Sequence, residues 1–268
     1  MHLKPFRGRA IILTALSFGL IFSCKKDTTP TPPTTPTDVN LKKGLLVYLP
    51  FDGVIADSSG NSNTTTALGN ASLTYDEHGK ANSAFGGTGN GERIQVTNNG
   101  SIVFDTAFSI SMDFMTRGIG SNIGRQVLTT MVDNNTGLGP SFLLGPCVYN
   151  TNNVIFAVID SASTCSSYGS DHSTNDTTLF TPQPEAWYNI IAIFHKGTLQ
   201  VFVNGKLIST QTGASTKAHI CPASQLIIGG WWQQDVISIN GKIDEYRLYN
   251  RVLNADEIAS LAQNFQDY

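Results

Sequence analysis

The stretch "EAWYNIIAIFHKGTLQVFVNGKLIS" (Glu185–Ser209) decides the fold. It holds runs of strand length in which β-branched and aromatic residues are common. Between two of them sits Asn204-Gly205, a pair suited to a tight turn needing positive φ, so "LQVFVNGKLIS" reads as a β-hairpin. Similar runs recur outward in both directions between turn-rich segments. They are "LLVYLPF" (Leu45–Phe51), "RIQVT" (Arg93–Thr97), "FSISMDFM" (Phe108–Met115), "QVLTTMV" (Gln126–Val132), "VIFAVI" (Val154–Ile159), "QLIIGG" (Gln225–Gly230) and "KIDEYRLY" (Lys242–Tyr249). Only "NADEIASLAQNF" (Asn254–Phe265) reads as a helix. Asn254 caps it, Glu257 follows three residues on, and Ile258, Leu261, Ala262 and Phe265 form one apolar face. Many strands and one terminal helix predict an all-β fold, a two-sheet antiparallel β-sandwich with one short C-terminal helix.

The composition agrees. Of 268 residues only 14% are charged, well below the usual ~25%. Gly, Asn, Ser and Thr are abundant, which suits an exported β protein. Lys+Arg 17 stand against Asp+Glu 20 with no basic stripe, which argues against nucleic-acid binding.

The N-terminus has another character. "MHLKPFRGR" carries Lys4, Arg7 and Arg9, and "AIILTALSFGLIF" is an apolar stretch too short to span as a mature helix. This predicts a signal peptide over residues 1–23, whose removal leaves the chain more acidic. It ends in "LIFSC", which resembles the lipobox of bacterial lipoproteins. The resemblance implies cleavage before Cys24 and lipidation of that residue; ordinary cleavage leaving a free thiol is the alternative. A Thr/Pro-rich linker follows over residues 24–43, which favours an extended spacer. The sandwich then occupies residues 44–268. The expected location is the bacterial cell envelope, at the outer membrane or cell surface, with a lipid anchor in the membrane.

The order of the pieces carries a further resemblance. "LVYLPFDG…DSSGN", "FSISMDFM", "EAWYNIIAIFHKGTLQVFVNGKLIS" and "LIIGG…INGKIDEYRLYNRVLNADEIASL" resemble, in sequence, the segments of laminin-G-like, concanavalin A-like jelly rolls. The match runs over about Leu45–Leu261 and implies a jelly roll. Laminarinase-like relatives of this fold resemble one another in an E-x-D-x-x-E strand. No such run occurs here. Glu77, Glu92 and Glu185 are scattered among loops. Asp244 and Glu245 are adjacent, and on a regular strand neighbours point to opposite faces. No catalytic residues are expected, and the protein is expected not to be an enzyme.

Asp244 shares a strand face with Tyr246 and Leu248, which predicts that it faces the core, with Glu245 in solvent. The fold usually sets the first and last strands side by side, so Asp52 and Asp244 could meet. With Asp57 and Asn61 they would suit calcium, as in many relatives. A carboxylate satisfied by backbone N–H groups is the competing reading.

"GGWWQQD" (Gly229–Asp235) offers ligand contacts. Adjacent tryptophans must diverge, and an exposed ring stacks on sugars, so Trp231, Trp232, Gln233, Gln234 and Asp235 are candidate glycan contacts. The rival reading has one ring capping the core. Trp187 opens a family strand and is expected in the core. Ser161–Thr178 reads as a long polar loop on which Tyr168, Asp171 and His172 are further candidates. "GGTGNG" (Gly86–Gly91) reads as a turn and lacks a phosphate-loop Lys. Cys147, Cys165 and Cys221 permit one disulfide. Strand reversals lean towards Cys147–Cys221, and Cys165–Cys147 stays open. The lead function is non-catalytic glycan binding. The alternatives are an adhesion or protein-binding module and, behind it, a glycoside hydrolase with an unrecognised site.

Overall fold

The computed structural model describes residues 39–118, 126–133, 141–146, 154–160, 170–173, 180–213, 216–231 and 237–266. The chain divides into Met1–Pro36 and Thr37–Tyr268. Residues 1–38, which hold the expected signal peptide, Cys24 and nearly all of the expected Thr/Pro linker, lie outside the described residues.

Two antiparallel sheets face each other, as the sequence predicts. The first runs β13 (Lys206–Thr212), β12 (Thr198–Val203), β11 (Trp187–His195), β6 (Ala107–Thr116), β15 (Asn240–Tyr249), β4 (Ala84–Thr88) and β3 (Ser72–Thr74), with β1 (Leu45–Leu49) also on β15. The second runs β10 (Ser170–Ser173), β9 (Val154–Asp160), β8 (Phe142–Pro146), β7 (Thr129–Asp133), β14 (Ser224–Ile228), β5 (Arg93–Val96) and β2 (Thr65–Leu68). The first and last strands are neighbours, with Leu49 opposite Tyr246. The hairpin turns at Asn204-Gly205, both at positive φ (49° and 75°), where glycine carries no steric penalty. The helix α1 (Ala255–Gln266) starts where expected: Glu257 N donates to Asn254 Oδ1 and Asn254 N to Glu257 Oε2, both at 2.9 Å.

Strand alternation builds the core. Phe108, Ile110, Met112 and Phe114 of β6, with Ile190, Ala192 and Phe194 of β11, point between the sheets and meet Leu128, Phe142, Phe156 and Leu226. The opposite face of the first sheet is divided. One part packs α1: Ile191, Ile193 and Tyr249 meet Leu253, Ile258 and Leu261. The other part is polar, and the pocket opens there.

Four expectations change. Trp187 is half-buried, not core; its ring lies 5.7 Å from Lys242 Nζ, because its register places it on the outer face beside Met115. The long loop contains β10, in which Asp171 and His172 pair with Ile159 and Val158. Gly86 and Gly87 belong to β4, and only the end of "GGTGNG" turns. The Asp244 and Glu245 reading fails for a reason that creates the site.

Candidate functional site

An extra residue in β15 builds the pocket. Asp244 stands opposite Asp113 of β6, and Arg247 opposite Ser111; three steps on β15 match two on β6. Such a bulge shifts the alternation by one. Ile243, Tyr246 and Leu248 therefore reach the core, while Asp244 and Glu245 both line a pocket outside it. Glu245 takes the strain at φ 52°. The expectation of a core-facing Asp244 and a solvated Glu245 assumed an unbroken strand and is corrected here. The bulge sits where β15 changes partner from β4, opposite Ile243, to β1, opposite Tyr246.

The cavity has a volume of about 570 Å³. Its floor is a row across three strands: Asn189 on β11, Asp113 on β6 and Asp244 on β15. Asn189 Nδ2 donates to Asp113 Oδ1 at 2.7 Å. Tyr48, Glu245 and Arg247 form one side. Arg247 pairs with Glu245, lies 4.3 Å from the Tyr48 ring centroid, and leaves the Tyr48 hydroxyl to donate to Glu245 Oε2 at 3.0 Å. The segment between β3 and β4 supplies Asp76, Glu77, His78 and Lys80. Asp76 shapes that segment by accepting from the N–H groups of His78 and Lys80. His78 Nε2 is 3.1 Å from Glu77 Oε1.

Carboxyl groups outnumber cationic side chains in this space. Lys80 is committed to Asp52 at 2.5 Å and Arg247 to Glu245. Burial pushes the Asp113 carboxyl up to about 8. Burial, followed by the nearby Glu77 and Glu245 charges, pushes Asp244 up to about 9. Burial also raises Glu77. Two buried acceptors, Glu77 Oε2 and Asn189 Oδ1, have no hydrogen-bond partner.

The residues expected to bind calcium do not form one ligand set. Asp52 and Asp244 share the pocket, but Lys80 holds Asp52. The Asp57 carboxylate is filled by the N–H groups of Tyr48, Ser59 and Asn63, the Ser59 hydroxyl and the Asn63 amide. Asn61 spends its amide N–H on the Leu45 and Leu46 carbonyls, each at 2.9 Å. Among the described residues no three His, Cys, Asp or Glu side chains are placed to hold a metal ion. The four residues therefore do not fit a calcium site in this arrangement.

Other candidates fall elsewhere. Trp231 is half-buried and packs with Ile237 against Val127 and Leu143, away from the main core. Tyr168, Trp232, Gln233, Gln234 and Asp235 lie outside the described residues, as do Cys147 and Cys165. Cys221 is fully buried and disulfide-bonded; its partner lies outside the described residues, so the connectivity stays open. Sequence reasoning missed Asp113, Asn189, Glu77, Tyr48 and Arg247. Asp113 carried one signal: it is the only charge in "FSISMDFM", at an outward position of an otherwise apolar-alternating strand.

No curated protein matches the chain. Solved structures similar in fold include domain 4 of AbnA, a GH43 extracellular arabinanase from Geobacillus stearothermophilus, in complex with arabinotriose. It has 18% identity and a TM-score of 0.59, covering 82% of this chain and 98% of that one. The binding domain of Paraclostridial Mosquitocidal Protein 1 has 17% identity and a TM-score of 0.63, covering 85% and 54%. The binding domain of botulinum neurotoxin DC in complex with SialylT has 17% identity and a TM-score of 0.61, covering 85% and 53%. The chain thus spans about half the length of the toxin domains it matches. At these identities the likeness is one of fold. The family model described as the concanavalin A-like lectin/glucanases superfamily, laminin G type, matches residues 87–259, and with the jelly-roll sandwich this means that the chain belongs to that superfamily.

Proposed function

We propose that this protein is a non-catalytic, lipid-anchored carbohydrate-binding module of a bacterial cell envelope. The observation that carries glycan binding is the polar pocket over the β15 bulge. Amide, carboxyl, guanidinium and phenol groups converge there, and the apolar lining is confined to Pro50, Leu261 and the Tyr48 ring. A hydroxyl-rich ligand matches such a lining. A protein hot spot would call for apolar anchor pockets at its centre, which weighs against the adhesion reading. The fold is shared with a domain whose structure holds arabinotriose and with one whose structure holds SialylT.

The test is a glycan array with the protein, followed by calorimetric titration of the glycan selected. Asn189→Ala is expected to weaken binding at least ~10-fold, the equivalent of losing one or two hydrogen bonds to a buried group. Trp231→Ala is expected to keep affinity while lowering the melting temperature, because its ring packs on Val127 and Leu143. The reverse pattern would move the site to the Trp231 region.

The carboxyl cluster supports a second reading. Asp113 and Asp244 face each other across neighbouring strands in a cleft, and paired carboxyls are the equipment of glycoside hydrolysis. The non-catalytic reading is favoured because burial holds both groups up, to about 8 and about 9, whereas a retaining pair needs one ionised nucleophile. Release of reducing ends from the selected glycan, abolished by Asp113→Asn, would establish the hydrolase instead.

The anchor rests on the basic, apolar and "LIFSC" order of the first 24 residues. A fatty-acid analogue fed to cells is expected to label the wild type and not Cys24→Ala. Equal labelling of both would remove the anchor.

A further inference from the structure

We propose that the pocket over the β15 bulge selects an amino sugar, a glycan carrying a free protonated amine in place of a hydroxyl or an acetamide. This rests on the glycan reading above and goes beyond it to the ligand's chemistry.

The pocket's donors and acceptors do not balance. Asn189 is 2% exposed and lines the pocket. Its Nδ2 is spent on Asp113, and its Oδ1 is buried with no donor. Glu77 Oε2 is in the same condition. Buried acceptors normally find partners, and one left open points to a missing donor. The carboxyls of Asp113 and Asp244 line the same wall.

What the pocket can offer in return is limited. Its cations are engaged: Lys80 with Asp52, and Arg247 with Glu245. The Tyr48 hydroxyl also donates to Glu245. Open acceptors are therefore in surplus at Asn189 Oδ1 and Glu77 Oε2, and carboxyls outnumber cationic side chains in the lining; a bound ammonium would displace the protons that Asp113 and Asp244 hold in the unliganded protein. An ammonium group brings three donors, no acceptor and a positive charge on a compact centre. A sugar hydroxyl brings one donor and no charge. An acetamide brings one donor and a carbonyl acceptor, and the carbonyl does nothing for Asn189 Oδ1 or Glu77 Oε2. A carboxylated sugar would bring more acceptors to a lining in which carboxyls already outnumber cationic side chains. Among saccharides, the free amine fits best.

The test uses three β-1,4-linked disaccharides that differ only at C2: the glucosamine dimer, the N-acetylglucosamine dimer and cellobiose. Calorimetric titrations are run with the protein at about pH 6, where a sugar amine is protonated, with a chelator present. The glucosamine dimer is expected to bind at least ~10-fold more tightly than either counterpart, and its advantage is expected to shrink as salt is raised. Glu77→Gln keeps the shape and removes one charge at a partly exposed position, so it is expected to fold. It should cut the amine preference to ~3-fold or less.

Equal binding of the three disaccharides would sink the amine proposal and leave glycan binding standing. If array glycans bind with no response to Asn189→Ala, the pocket reading itself fails, and this proposal with it. Loss of the preference in chelator would mean that a metal mediates it and would overturn the proposal. Tight binding of lysine amide with none of any sugar would assign the amine to a protein partner and would also overturn it.

Discussion

From about pH 5 to about pH 9 the unliganded protein is expected to lose stability steadily, the reverse of the usual behaviour of carboxylates on a protein surface. Asp113 is raised to about 8 and Asp244 to about 9, each chiefly by burial, and Glu77 is raised in the same direction. In the unfolded chain these groups ionise near 4. Between those limits the folded state holds protons that the unfolded state has released, so stability falls as pH rises. It is fully present below the unfolded value and lost by the time the folded groups ionise. Lys242, lowered by burial, works weakly the other way and only at the alkaline end. A tenfold difference in acidity between the folded and unfolded chain corresponds to ~1.4 kcal/mol. Even a fraction of the combined effect of these carboxyls amounts to ~2 kcal/mol or more, or roughly 4–8 °C in melting temperature for a chain of this size.

Asp113→Asn and Asp244→Asn should flatten the profile and raise the melting temperature at about pH 9. Both keep an oxygen for their present donors, Asn189 Nδ2 and Glu245 N–H. The measurement is calorimetric melting across the range for wild type and both variants. A wild-type profile that rises through neutrality would show that the pair is solvated and ionised at neutral pH, and the burial reading of Asp113 and Asp244 would fall. If the amine proposal holds, the glucosamine dimer should raise the wild-type melting temperature at about pH 6, where its amine is protonated, because it binds only the folded state.

The fold was open to reading because its signals are local. Asn204-Gly205 needs only two residues to announce a hairpin, and Asn254 with Glu257 needs four to announce a helix start. Alternation in "FSISMDFM" assigns Phe108, Ile110, Met112 and Phe114 to the core, where they lie. Even β1 beside β15 could be expected from the resemblance. The pocket could not, because it depends on register. Asn189, Asp113 and Asp244 come from three runs far apart in sequence, and no local pattern says that they align in one row. The bulge left one trace: in "KIDEYRLY" the apolar-polar rhythm breaks at Asp244-Glu245, so that Ile243 and Tyr246 stand three apart, and counting Asp244 from Tyr246 alone puts both acids on the wrong faces. Glu77 was dismissed as a loop residue for the same cause: a loop's position over a sheet is set by the strands it joins. The residues named for calcium do not come together because Asp57 and Asn61 are occupied by backbone near β1.

Removal of one side chain remote from the pocket, Arg251, is expected to destabilise the domain by about 3–5 kcal/mol. Arg251 Nη1 and Nη2 donate to the two carboxylate oxygens of Glu257 at 2.6 and 2.7 Å. The Glu257 side chain is only 2% exposed, and Arg251 holds it well supplied with donors; although its burial opposes ionisation, the hydrogen bonds from Arg251 and from the Asn254 N–H keep its carboxyl below the usual range. The same guanidinium reaches across the chain to the carbonyls of Lys43 at 2.6 Å and Asn40 at 3.0 Å. One residue thus ties the turn before β1 to the cap of α1, while Ser109 on β6 fastens the connecting segment by donating to the Arg251 carbonyl. Arg251→Ala would leave a buried carboxylate without its counter-charge, release the turn, and loosen the helix that covers Ile191, Ile193 and Tyr249. Most of the cost is the stranded charge, so the double variant Arg251→Met with Glu257→Leu should recover much of it, although the capping interaction with Asn254 would still be lost at ~1 kcal/mol. Chemical denaturation of wild type, Arg251→Met, Glu257→Leu and the double variant gives the coupling directly. A cost below ~1 kcal/mol for Arg251→Ala would place the pair among ordinary surface ion pairs, and the clamp between the two ends of the domain would then be no more than a contact.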